Sequence, residues 1–191
     1  RWPTPAGPGR DRPGRGRSQV REAAVNPTIL IDGYNLLYGA GIIGEGVDAG
    51  TLQNAREALL GWLLHSLPQS DRQRTVVVFD AHHPPPGRPS TFDRQGMTIH
   101  FARDHENADA LLEDYIAAND APRQLTVVSS DHRVQRAARR RKATAVDSGA
   151  WYRTVDQQQP RRQQDPEAPK PDAPLNEVQV QQWLKFFGEN Q

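Results

Sequence analysis

The chain has 191 residues, 36% of them apolar, a formal net charge of +1 and no cysteine, and its mean hydropathy is −0.79. That length suits one domain plus tails, the absent cysteines exclude disulfide staples and thiolate zinc sites, and no apolar run approaches the roughly 20 residues of a membrane span. A soluble, cytoplasmic protein with no membrane contact is expected, and a chain opening on Arg1 rather than Met is expected to be a fragment or a processed form.

Residues 1–27 carry six arginines against Asp11 and Glu22, with almost no aliphatic side chains. Such a segment cannot bury a core and reads as a disordered basic tail, and it lacks the apolar stretch of a secretory signal. Residues 28–153 then alternate strand and helix signals. Thr28–Ile31 suits a strand buried on both faces. After Asp32-Gly33 comes a short helical stretch, Tyr34 to Tyr38, and then a glycine-rich loop. That loop contains Gly39-Ala40-Gly41-Ile42-Ile43-Gly44, the spacing of a dinucleotide fingerprint, displaced from the strand–helix turn where a fingerprint must lie. Residues 51–66 form an amphipathic helix with Leu52, Ala55, Leu59, Trp62 and Leu63 at helical spacing, closed by Pro68. A second strand, Thr75–Phe79, leads into Asp80-Ala81-His82-His83 and Pro84-Pro85-Pro86, a long loop reaching about Gln95. Met97–Phe101 is a third strand. Ala108–Ala118 is a helix with Leu111, Leu112, Tyr115 and Ile116 facing inward. Leu125–Ser129, His132–Arg141 and Ala143–Val146 supply strand, helix and a short strand. Residues 154–174 read as a Pro/Gln-rich linker. Residues 175–191, with Val178, Trp183, Leu184 and Phe187 in helical phase, read as a C-terminal amphipathic helix. Strands alternating with helices imply right-handed crossovers and an α/β fold, a doubly wound, mostly parallel sheet with helices on both faces.

Asp32, Asp80 and Asp131 each follow a strand, and Asp109 lies in the first turn of the helix after Asn107. In an open parallel sheet these positions gather at the carboxyl edge, where ligands bind. One such Asp alone reads as a helix cap or a complement to the helix dipole. Four together concentrate negative charge that requires a hard divalent cation, and with it phosphate chemistry. Asn35, three residues after Asp32, reaches the same rim or makes a local turn bond. Ser129 and Ser130 flank Asp131 and serve either to orient it or to end the strand. Glu113 shares a helix face with Asp109 and is expected to point to solvent, as is Asp114. His82 and His83, adjacent on an extended segment, point opposite ways and do not share one ion.

Arg136, Arg139, Arg140, Arg141 and Lys142 form a basic cluster that can neutralise nucleic-acid phosphates or complement a helix C-terminus. Arg103 and Arg88 lie near the acidic rim, where they could hold a scissile strand. No Walker sequence and no serine elbow occurs.

Ile29-Leu30-Ile31-Asp32-Gly33-Tyr34-Asn35, Val77-Val78-Phe79-Asp80-Ala81-His82, Asn107-Ala108-Asp109 and Val127-Val128-Ser129-Ser130-Asp131 together resemble the YacP-like branch of the NYN domain family, within the PIN-like ribonucleases. The resemblance covers roughly residues 28–153. It implies a compact α/β fold, an endoribonuclease site dependent on Mg²⁺ or Mn²⁺ and, in some bacterial members, action on ribosome-associated mRNA. By position it implies Asp32 and Asp109 as essential acids, Asp131 as the later acid and Asn35 as a supporting polar residue. Asp80 matches a further acidic position, taken as a metal ligand or a residue behind the ligands. The expected function is metal-dependent cleavage of single-stranded RNA or mRNA, with one or two Mg²⁺ or Mn²⁺ ions held by Asp32, Asp109 and Asp131, Arg103, Arg136, Arg139 and Arg140 as RNA contacts and the ribosome as an associated partner. The other readings are a non-catalytic RNA- or ribosome-binding module, which would bind RNA equally well in EDTA, and a phosphohydrolase of small esters, which would need a closed pocket.

Overall fold

A computed structural model describes residues 26–44, 48–80 and 89–158. The strands are β1 (Ile29–Asp32), β2 (Thr75–Phe79), β3 (Thr91–Arg94), β4 (Met97–Phe101), β5 (Thr126–Val128) and β6 (Thr144–Val146). The helices are α1 (Gly33–Gly39), α2 (Ala49–Ser66), α3 (Gln69–Arg72), α4 (Ala108–Ala118), α5 (His132–Arg140) and α6 (Ser148–Gln158). The strands form one sheet in the order β3-β4-β2-β1-β5-β6. All neighbours pair parallel except β3, which is antiparallel to β4. The expected doubly wound α/β sheet is what the chain forms.

Its two layers follow from the twofold period of a strand buried on both sides. Ile31, Val77, Phe79 and Val128 face one apolar layer, with Leu36 and Leu37 of α1, Leu59, Trp62 and Leu63 of α2, and Trp151 and Tyr152 of α6. Their strand neighbours Leu30, Val76, Val78 and Val127 face the other, with Leu111, Leu112, Tyr115 and Ile116 of α4 and Val134 and Ala138 of α5. The chain leaves β1 for β2 on one side and comes back to β5 on the other. The carboxyl ends of β1 and β5 therefore flank the crevice where the strand order reverses, the usual ligand position in such sheets. Gly33 begins α1 there for a steric reason: a Cβ at this position would stand 2.3 Å from Cε1 of Phe79.

Beyond the one-turn helix α3, which follows Pro68 where no element was expected, two elements depart from expectation. Thr91–Arg94, expected as loop, is an edge strand folded back on β4. Its turn places Gln95 and Gly96 at φ of 49° and 93°, the paired left-handed residues that suit a tight hairpin. Only Phe92 of that strand offers a large apolar group, stacked on Phe101 at 6.3 Å, so the strand has little hydrophobic alternation to read. The second is α6, where the linker expected from residue 154 is helical to Gln158. Trp151 and Tyr152 pack on Trp62 with ring centroids 6.2 and 4.6 Å apart, and Asp147 caps the helix by accepting from the Ala150 amide at 2.9 Å. The basic tail to residue 25, the segment holding His82, His83 and Arg88, and the expected C-terminal helix lie outside the described residues. Among the described residues no helix is long and apolar enough to cross a membrane.

Candidate metal and phosphate site

Asp32 ends the central strand at the level of Val78 and is only 3% exposed. The Asn35 amide donates to its Oδ1 at 3.1 Å. Asn35 Nδ2 and Ser129 Oγ donate to its Oδ2 at 2.6 and 3.1 Å. The first bond caps α1, so the same carboxylate serves helix and site. Burial pushes the Asp32 pKa up to about 6, with the charge of Asp109 adding to it and the bonds from Asn35 and Ser129 opposing it.

Asp109 is half-buried in the first turn of α4, a helix that Asn107 caps by accepting from the Ala110 amide at 2.9 Å. Its pKa is raised, first by burial, then by Asp131, with Glu113 and Asp80 adding and Arg133 opposing. The fields of Asp131 and Asp80 thus meet at Asp109, whose own charge reaches Asp32. Asp131 caps α5, its Oδ1 accepting from the amides of Arg133 and Val134 at 2.5 and 3.1 Å. Its own amide donates to Ser129 Oγ at 3.1 Å. That single hydroxyl therefore links Asp32 on β1 to the loop after β5. Asp80, beyond β2, has Oδ2 3.5 Å from the amide of Ala108, a bond at the limit of useful length. Ser130 turns away to Asp147 Oδ2, at 2.8 Å.

Cations stand behind these acids. Arg133 grips Glu113 with two bonds of 3.0 Å. Glu113, expected in solvent, is half-buried in this fork because α5 brings Arg133 across to α4. Arg56, 3% exposed, donates to the Tyr34 hydroxyl at 2.8 Å and lies 5.5 Å from the centre of the Phe101 ring. Tyr34 sits edge-on to Phe79 at 5.3 Å. Its hydroxyl pKa is raised by burial above all, with Asp80 adding and Arg56 opposing. Neither arginine was expected at the site. Arg56 had a visible signal, being a charge within the helical stripe of Leu52, Ala55, Leu59 and Leu63.

Among the described residues no three His, Asp or Glu side chains form a ready-made metal cage. The donors nonetheless fit a hard divalent ion. Asp32 and Asp109 offer carboxylate oxygen alone, and burial plus acidic neighbours hold both back from ionising, a cost that a cation would relieve. Mg²⁺ in particular is commonly bound by one or two carboxylates, with water and substrate phosphate completing its shell.

The expected RNA contacts divide. Arg103 is exposed in the loop after β4, at the acidic edge. Arg136, Arg139 and Arg140 are exposed on α5, but that helix leads away from the rim. At its end Arg141 Nη2 reaches the Asn119 carbonyl at 3.0 Å, and Asn119 Nδ2 bonds the Pro27 carbonyl at 2.9 Å, just before β1. Arg139 and Arg140 therefore lie on the far turns of the helix from Asp131, with Arg139 occupied locally by Gln135 Oε1 at 2.9 Å, whereas Arg136 stands only about 7 Å along the axis from Asp131.

Among protein families, the YacP-like NYN domain matches residues 29–187 of the chain. The crystal structure of Rae1 (YacP) from Bacillus subtilis is similar at 24% identity, with a TM-score of 0.49 over 68% of this chain and 73% of that one. A point mutant of the same Bacillus subtilis protein gives 25% identity and a TM-score of 0.47, over 68% and 74%. No curated protein is significantly similar. With the family match spanning most of its length, the chain belongs to the YacP-like NYN domain family.

Proposed function

We propose that the chain is a metal-dependent endoribonuclease that hydrolyses phosphodiester bonds of single-stranded RNA, ribosome-associated mRNA being one source of such strands in the cytoplasm. The observation that carries this reading is the buried Asp32 carboxylate, fixed by three hydrogen bonds and facing the field of Asp109. Three donors on one carboxylate fix its orientation before any ligand arrives, which spares reorganisation during reaction. Membership of a family whose members are generally nucleases supports the same class of chemistry.

In this reading Asp32 and Asp109 hold Mg²⁺ or Mn²⁺, while Asp131 and Asp80 deepen the negative field around them. The cation would supply a lowered pKa for water and neutralise charge on the phosphate. Asn35 and Ser129 keep Asp32 aimed at the rim. Arg133, fixed by Glu113, tempers the charge of Asp109 without joining it. Arg103 stands on the same edge as a contact for the RNA strand. The test is cleavage of labelled single-stranded RNA by Asp32→Asn and Asp109→Asn. Each should lose at least about 100-fold in rate, the scale of removing one preorganised electrostatic group. Retained cleavage in either would refute the assignment. One observation favours the other reading, a non-catalytic RNA-binding module: no three-ligand cage among the described residues. Such a module would bind RNA unchanged in EDTA and never turn it over.

A further inference from the structure

Helix α1 turns Gly33, Leu36 and Leu37 inward and leaves Tyr34, Asn35 and Tyr38 on its outer face, residues three and four apart sharing a side. Two of these three are engaged. Asn35 clamps Asp32, and Tyr34 lies edge-on to Phe79 with its hydroxyl held by Arg56. Tyr38 is not engaged: among the described residues its side chain has no hydrogen bond and no ring contact. At 50% exposure it is the one large apolar side chain left open among them. A single exposed ring is common on protein surfaces; this one has a fixed backbone and a cation beside it.

The end of α1 lies backbone to backbone against the start of α6. A Cβ on Gly39 would stand 2.7 Å from the Gly149 amide nitrogen and 2.9 Å from Ser148 Cβ, and a Cβ on Gly149 would stand 2.9 Å from the Gly39 carbonyl oxygen. Ser148 and Gly149 are buried there, so the turn that carries Tyr38 is ordered before any ligand arrives, which lowers the cost of binding. The same point on Gly149 lies 3.4 Å from Arg153 Nη1. That guanidinium therefore stands beside the residue that follows Tyr38. Arg153 is exposed and forms no hydrogen bond or ion pair with a described residue. The acids near it are Asp147, whose carboxylate accepts from Ser130 Oγ and the Ala150 amide, and Asp156 one turn further along α6. Both helices follow the carboxyl ends of their strands. Tyr38 stands about 9 Å along the α1 axis from Asp32, roughly two to three base steps of a stacked strand.

We propose that Tyr38 and Arg153 form a nucleotide subsite beside the acidic rim, the Tyr38 ring stacking a base of the RNA strand and Arg153 holding an adjacent phosphate. The subsite rests on the RNA reading above for the identity of its ligand, but not on catalysis. Stacking on a ring face accepts any base, so this subsite positions the strand without reading its sequence. Arg153 adds a phosphate contact whose strength falls with salt.

The test is binding of a fluorescently labelled, unstructured RNA oligonucleotide to the full chain in EDTA, across about 50 to 200 mM KCl. The parent chain should bind. Tyr38→Ala should weaken binding about 5- to 150-fold, the scale of one base stacked on an aromatic ring, while Tyr38→Phe should keep the parent affinity. Tyr38 is exposed, so both variants should melt as the parent does. On an abasic strand of the same length, which keeps the phosphates and lacks the bases, Tyr38→Ala and the parent should bind alike. Arg153→Gln should lower the slope of log affinity against log salt by about 0.7, and Arg153→Lys should restore it. Parent-like binding of RNA by Tyr38→Ala, an equal loss on the abasic strand, an unmoved salt slope in Arg153→Gln, or a parent chain that ignores the oligonucleotide would each overturn the subsite. Because binding is read without metal, a chain that shows these losses yet never cuts RNA sinks the nuclease reading alone. A chain that cuts RNA while Tyr38→Ala binds it unchanged sinks the subsite alone.

Discussion

Replacing Asp32 by Asn should make the metal-free protein more stable while removing its proposed activity. Asp32 titrates near 6 in the folded chain, against 3.8 for an unperturbed Asp, chiefly because it is buried. Between these values the folded chain holds a proton that the unfolded chain has released, so stability falls as pH rises through that window. Above about pH 6 the whole penalty is present; below about pH 4 it vanishes. A pKa raised this far costs the ionised, folded chain about 3 kcal/mol. Asn keeps the acceptor for the Asn35 amide, but its own NH₂ would face Asn35 Nδ2 in place of the oxygen that now accepts at 2.6 Å. Losing that bond costs about 1–2 kcal/mol. The net gain is about 1–2 kcal/mol at pH 7.5 in EDTA, or about 3–8 °C in Tm. Thermal melts of the parent and Asp32→Asn from pH 4 to 8 measure it. The gain should shrink as pH falls and reverse by pH 4, where only the lost hydrogen bond remains and the variant is about 1–2 kcal/mol less stable than the parent. A variant no more stable than the parent at pH 7.5, or a gain independent of pH, would refute the reasoning.

His100 should act in the other direction. Buried on β4 with Nδ1 2.9 Å from the Tyr115 hydroxyl, it has a pKa lowered from 6.5 to about 4, mainly by burial and next by His105. The unfolded chain binds the extra proton, so this contribution is complete above pH 6.5 and lost as pH falls toward 4, by about 2–3 kcal/mol. Chemical denaturation of His100→Gln should show a shallower loss of stability than the parent over that range; parallel curves would contradict it. Arg133 lowers the pKa of Asp109. In Arg133→Gln the acidic limb of the cleavage pH profile should therefore move to higher pH, and an unmoved limb would show that Asp109 does not set it.

Much of this was legible along the chain because it is local. Asp32-Gly33-Tyr34-Asn35 encodes a cap, a steric gap for Phe79 and a carboxylate clamp within four consecutive residues. The valine-rich run before Asp80 can only be a strand buried on both faces. The illegible parts join residues remote in sequence. Ser129 reaches Asp32 across 97 positions and Arg56 reaches Tyr34 across 22. Glu113 reads as a solvent charge until α5 delivers Arg133 to it. Asp131 starts α5, and the helix carries Arg139 and Arg140 about 12–13 Å along its axis but Arg136 only about 7 Å.

The most direct test of the central claim is cleavage of an end-labelled, unstructured RNA by the purified full chain, with Mn²⁺ or Mg²⁺ added after exhaustive chelation. The account predicts internal fragments that appear only with the cation and disappear again in excess EDTA. Equal fragmentation in EDTA, or intact RNA at saturating Mn²⁺ with RNA binding preserved, would contradict it.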